Sequence, residues 1–158
     1  MNMAEQNIQA SILDRLIDHE PGLSHEPVQK RLVDIRQIKA SVIRDLEQLL
    51  NARRHIFPPP AALAEVNNSL YVYGLRDFST QNPRSPSVRQ QLRQDIEKAI
   101  IRFEPRLRNV TVQFESQNPA ERNLRFRING MLVVEPVVEP VTFDTYFDNN
   151  RGQYVIAR

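Results

Sequence analysis

At 158 residues, with 41% hydrophobic and 25% charged side chains, the chain has the size and composition of one soluble domain that can bury a core. It has no cysteine, which excludes a disulfide framework, a thiolate metal site and a cysteine nucleophile. A pI near 9.2 invites a nucleic-acid reading, but the net charge is only +2, and the basic excess sits within residues 84–108, which carry seven basic and three acidic side chains. A partner with an acidic patch accounts for that local excess at least as well as a nucleic acid does. The start lacks the basic-then-apolar layout of a secretory signal, and no apolar run is long enough to span a bilayer, so the expectation is a cytosolic protein.

Residues 1–27 read as an arm and linker ahead of a domain at 28–158. Ile8, Ile12, Leu13, Leu16 and Ile17 fall on one face of a short amphipathic helix, with Asp14, Arg15 and Asp18 opposite. Two readings stay open: a helix packed on its own domain, or an arm laid on a neighbouring subunit. Glu20-Pro21-Gly22 and Glu26-Pro27 break the helix. A second helix is expected from Val28 to about Arg53, with Val28, Leu32, Ile35, Val42, Leu46 and Leu49 inward. Its wet side is assigned Lys30, Arg31, Asp34, Arg44, Asp45 and Glu47. Phe57-Pro58-Pro59-Pro60 is a stiff spacer. Asn67 to Tyr73 forms a short helix ending at Gly74, and Tyr71, Tyr73, Leu75 and Phe78 are expected to clamp the loop that follows onto the core.

The central helix is expected over Pro86–Phe103. Ser85 can cap it, and proline at the first helical position removes no hydrogen bond the helix needs. Val88, Leu92, Ile96, Ala99, Ile100 and Phe103 recur at three- and four-residue steps and form one stripe. Pro105 pushes Glu104 out of the helical region and ends the helix, leaving Glu104 and Arg106 on either side of a rigid bend. Ile101 falls about opposite the stripe. If exposed, it extends a contact patch around the corner together with Arg102; if buried under an earlier helix, it makes the central helix two-sided.

Beyond the corner the periodicity changes to two. Val110, Val112 and Phe114 alternate with polar residues, Ser116 to Glu121 turns the chain, and Leu124, Phe126 and Ile128 begin a second strand. Asn129-Gly130 resembles a hairpin turn, yet the alternation continues to Leu132 and Val134, which favours one long strand bent or bulged at Gly130. Pro136 and Pro140 belong at a turn or an edge. Val141–Phe147 and Gln153–Arg158 close the sheet. The fold expected is α+β: N-terminal helices and one central helix packed on a small antiparallel sheet of about four strands.

The run Asn68, Tyr71, Tyr73-Gly74-Leu75, Asp77-Phe78, Ser85-Pro86 and Phe103-Glu104-Pro105-Arg106-Leu107, with Ser11-Ile12-Leu13-Asp14-Arg15-Leu16 near the start, resembles the TssE family of type VI secretion baseplate subunits. That family is similar in turn to the contractile phage-tail baseplate wedge protein once labelled a lysozyme. The resemblance implies a structural subunit that attaches to the core of the wedge through Glu104, Pro105, Arg106 and Leu107. It implies as partners the wedge subunits TssF, TssG and TssK and the sheath subunits TssB and TssC, with sheath assembly started by strand pairing. Val141, Phe143, Tyr154, Val155 and Ile156, on the last two strands, are the candidate pairing edge; Pro136, Pro140 and Arg158 could equally blunt it.

Catalysis is not expected. A glycosidase needs two carboxylates across a sugar-sized cleft, one with a raised pKa. Glu97 and Glu104, the candidates on the central helix, are flanked by Arg93, Arg102 and Arg106, which act in the opposite sense. His19, His25 and His55 are scattered and have no glycine-cornered serine nearby, and four glycines are too few for a phosphate-cradling loop. No metal or cofactor motif is present. The rivals to a baseplate subunit are a basic nucleic-acid-binding or regulatory module and a peptidoglycan hydrolase.

Overall fold

The apolar stripe of the central helix decides where the other elements pack. The computed structural model describes residues 8–17, 21, 22, 24, 32–78, 80–82, 85–115 and 124–157. Along them run β1 (Ile8–Gln9), α1 (Ile12–Leu16), β2 (Leu32–Val33), α2 (Ile35–Asn51), α3 (Ala64–Asn67), a 3-10 turn (Leu70–Val72) and α4 (Pro86–Phe103). The strands β3 (Leu107–Phe114), β4 (Arg125–Val134), β5 (Val137–Asp148) and β6 (Gln153–Ile156) follow. These four form one antiparallel sheet in the order β3-β4-β5-β6, while β1 pairs with β2 on its own. The fold is α+β, with helices packed on one face of the sheet.

Leu92, Ile96, Ala99 and Ile100 of α4 meet Ile38, Val42, Leu46, Leu49 and Leu50 of α2, and both helices pack on the sheet. The period of two assigns the inner face to Val110 and Val112 of β3, Phe126, Ile128 and Leu132 of β4, and Val141 and Phe143 of β5. Burying a large aliphatic side chain such as Ile96 or Ile128 contributes on the order of 1.5–3 kcal/mol, so this layer carries most of the stability.

Several local expectations are corrected. The second helix begins at Ile35, later than Val28, because Asp34 and Gln37 close a capping box: the Asp34 carboxylate accepts from Gln37 N at 2.8 Å and Gln37 Oε1 accepts from Asp34 N at 3.1 Å. Leu32 lies in β2 instead. Ile8 belongs to β1, so α1 spans only five residues. Ser85 stands at the N-cap of α4, but its hydroxyl meets Ser87 Oγ at 2.8 Å and does not cap the helix. Tyr71 is exposed and meets His55 at 3.1 Å, so the clamp consists of Tyr73, Leu75 and Phe78 without it. The expectations at Asp18, His19, His25, Val28–Arg31, the 116–121 turn and Arg158 lie outside the described residues.

Strand β4 runs unbroken through Asn129-Gly130. The irregularity lies across from it on β3, where the register shifts between Arg108 and Thr111 and Asn109 adopts φ 52°. A Cβ on Gly130 would stand 3.2 Å from the Arg108 carbonyl oxygen, so the glycine lets the bulged backbone approach. Pro136 sits in the tight β4–β5 turn, and Pro140 lies within β5 opposite Met131. Phe147 N–H donates to Leu124 O, which makes 124 and 147 a hydrogen-bonded pair and, counting along the register, 131 and 140 a non-bonded one. The N–H that Pro140 lacks therefore costs no bond to β4.

Candidate functional site

The corner after α4 is built around a charge pair. Glu104 ends the helix at φ −122°, ψ 79° and is only 3% exposed. Its carboxylate accepts from Arg106 Nε at 2.6 Å and from Arg106 Nη2 at 2.5 Å, the forked geometry in which carboxylate and guanidinium bond best. Arg106 also donates from Nη2 to Asp45 Oδ2 at 2.6 Å and from Nη1 to Ser41 Oγ at 3.0 Å, both on α2. Burial would lower the Arg106 pKa, but the hydrogen bonds and charges of Glu104 and Asp45 outweigh it and hold the guanidinium above its ordinary value.

The network continues to the N-terminal segment. Asp45 Oδ1 accepts from Arg44 Nη2 at 2.8 Å, and Arg44 Nη1 donates to Asp14 Oδ1 at 2.6 Å. Ser41 and Ser11 donate to Asp14 Oδ2 at 2.8 and 2.6 Å. Burial alone would raise the Asp14 pKa; the bonds from Ser11, Arg44 and Ser41, with the Arg44 charge, bring it down to about 2. A polar chain thus runs Glu104–Arg106–Asp45–Arg44–Asp14. It fastens α1 by its acidic side, while Ile12, Leu13, Leu16 and Ile17 face solvent.

Within this chain the polar groups of Glu104 and Arg106, both expected at the attachment surface, bond to each other and, from Arg106, to α2. Leu107 is core. The residues that the corner turns outward are Ile101, 62% exposed, with Arg102 and Pro105. Of the two readings of Ile101, the exposed one holds.

The sheet margins are guarded by helix side chains. On β6, Tyr154 N–H donates to Asn51 Oδ1 at 2.7 Å, Tyr154 O accepts from Asn51 Nδ2 at 2.9 Å, and Ile156 N–H donates to Glu47 Oε1 at 3.0 Å. On β3, Val112 N–H donates to Glu97 Oε1 at 2.9 Å. Of the residues expected at the pairing edge, Val141, Phe143 and Ile156 turn their side chains into the core, and the outer main chain at Tyr154 and Ile156 is bonded to α2 within this chain. Among the described residues, β6 reaches along β5 as far as the bond from Ala157 N to Asp144 O. From Val138 to Thr142 the outer side of β5 extends beyond that bond, among the described residues.

Glu97 and Glu104, the pair weighed for acid–base chemistry, are thus spent on a strand and on a guanidinium. Sequence reading missed Ser41, Asp45, Glu47 and Asn51. The signal was available: Ser41 and Asp45 flank one side of the α2 stripe at i, i+4, and Glu47 and Asn51 flank the other at the same spacing. Asp95 was missed as well. Buried on α4, it accepts from Arg76 N at 3.0 Å and Arg54 Nη2 at 3.5 Å, fixing the loop after Gly74.

The charge fork and the side chains that cap the sheet margins thus tie helices to each other and to the sheet within one mixed domain. Residues 36–137 match the family of the baseplate wedge protein gp25, and the chain belongs to that family, one of structural baseplate subunits. No curated protein matches. The fold is similar to that of a chain in a solved structure of the baseplate complex from the type VI secretion system, at 20% identity and a TM-score of 0.50, over 72% of this chain and 97% of that one. Among the described residues no helix is long and apolar enough to cross a membrane.

Proposed function

We propose that this chain is a non-enzymatic, cytosolic subunit of a type VI secretion baseplate, of the TssE kind, which joins the wedge to the contractile sheath. The observation that carries the reading is the family match over residues 36–137, which takes in nearly all of α2, α4, the corner and strands β3 and β4. In this reading Glu104 and Arg106 shape the docking surface and Ile101, Arg102 and Pro105 touch the wedge. A buried fork holds Pro105 in place before any partner arrives, which reduces the ordering cost of binding. The wedge partners are TssF, TssG and TssK.

The sheath subunits TssB and TssC engage the outer side of the sheet, two strands away from the corner, since Leu107 pairs with Leu132 and Leu132 with Glu139. The outer side of β5 at Val138–Thr142, past the end of β6, receives a sheath strand through main-chain bonds. Pro140 leaves a gap in that margin on the donor side only; its carbonyl still accepts. Residues 1–27 act as an arm on the body 28–158, fastened through Asp14.

A tagged chain co-expressed with its neighbouring baseplate and sheath subunits tests this. Recovery of both sets supports the assignment. Recovery of neither, from a folded chain, removes it.

A further inference from the structure

A cleft of about 360 Å³ lies at the opposite end of α4 from the corner, where the end of α2, the 75–81 loop, the start of α4 and the β5–β6 turn meet. Val88 and Leu92 lie sixteen and twelve residues before Glu104, so by helical rise the two places are roughly 20 Å apart. Leu50, Val88, Leu92 and Leu124 give the cleft an apolar floor, and Arg53, Arg76, Arg89 and Arg151 line it with no carboxylate among the described lining residues. Asp77, Asp95 and Asp148 pair with Arg53, Arg76 and Arg151 from outside the lining. Those three arginines nevertheless keep half or more of their side-chain surface in water. A guanidinium has five N–H donors, so one carboxylate does not exhaust it.

We infer that this cleft binds an extended segment of a partner protein that carries a carboxylate beside an aliphatic side chain. The aliphatic group fills the leucine and valine floor, and the carboxylate takes forked bonds from the arginine rim. The volume is at the small end for a ligand pocket and suits one or two side chains of a chain crossing it. A nucleic-acid strand fits less well, because it needs open aromatic faces for its bases. The Phe78 ring carries the Arg76 guanidinium at 5.4 Å, and Phe147 lies edge-on to Tyr154 at 5.0 Å.

The test pans a random heptapeptide phage library on the full-length chain and titrates the enriched peptides by fluorescence anisotropy. The expected peptides place Asp or Glu next to Leu, Ile, Val or Phe. Their affinity falls about tenfold in the double variant Arg53→Gln, Arg151→Gln, falls with added salt, and is unmoved by Ile101→Asp at the far corner. Circular dichroism checks that each variant is folded. The inference is overturned by a library without enrichment, by enriched peptides lacking an acid, or by binding indifferent to the double variant. Tighter, arginine-dependent binding of a twelve-nucleotide single strand overturns it too.

Discussion

Arg106 and Asp45 lie 61 residues apart in sequence and 2.6 Å apart in the structure, joined by a guanidinium that also forks onto buried Glu104. One side chain thereby ties the end of α4 to the middle of α2. The corner keeps its shape without help from a partner, and the surface it offers consists of neighbours of the charge pair, not of the pair itself.

Arg106→Ala strands the Glu104 carboxylate, 3% exposed, with its main counter-charge gone. Removing one partner of a buried pair costs about 3–5 kcal/mol. Urea unfolding should show a loss of that order, and loss of wedge binding by this variant would report the fold as much as the interface. An unchanged midpoint would show that the fork is ornamental.

Asp14 supplies a pH dependence. Its folded pKa, about 2, lies below its ordinary 3.8, so the stability it contributes is fully present above that ordinary value and is lost as pH falls through about 2. Thermal melts between pH 5 and 2 should fall less steeply for Asp14→Asn than for the native chain. Parallel curves would mean that Asp14 does not hold α1 to Ser41 and Arg44 in solution.

The architecture was legible in the sequence, while the corner's partners were not. The stripe on α4 and the alternation in β3 to β6 are local patterns, readable because burial repeats with the period of the element. Arg106 reaches Asp45, and Asn51 reaches Tyr154, only after the chain has closed over 61 and 103 residues respectively. A one-dimensional reading therefore assigned Asp45 and Glu47 to water. At Asn129-Gly130 the alternation outweighed the local turn chemistry and the strand runs through, while the bulge that the glycine serves lies on the next strand.

The guarded margins predict an aggregation phenotype. Glu47→Ala with Asn51→Ala removes the side chains that bond the outer main chain of β6. Each lost bond costs about 1–2 kcal/mol, and an uncovered edge invites strand pairing between copies. Light scattering after size exclusion should show more self-association for the double variant than for the native chain. A monomeric double variant would argue that the edge needs no guard.

Two glycines should respond differently to the same change. Gly74 sits at φ +95° with a would-be Cβ 2.3 Å from the Ala52 carbonyl oxygen, whereas Gly152 sits at φ +64° with nothing within 4 Å. Gly74→Ala must move backbone and should cost about 3 kcal/mol or more, Gly152→Ala about 1 kcal/mol. Equal costs, read from denaturant midpoints, would contradict the close packing of the loop on the end of α2.

The most direct test of the account separates the shape of the corner from its contacts. Ile101→Asp changes an exposed side chain and should leave the unfolding midpoint where it is, yet abolish co-purification of the wedge subunits while sheath subunits are still recovered. Full retention of the wedge by a stable Ile101→Asp variant would contradict the claim that the face beside the fork is where this chain docks.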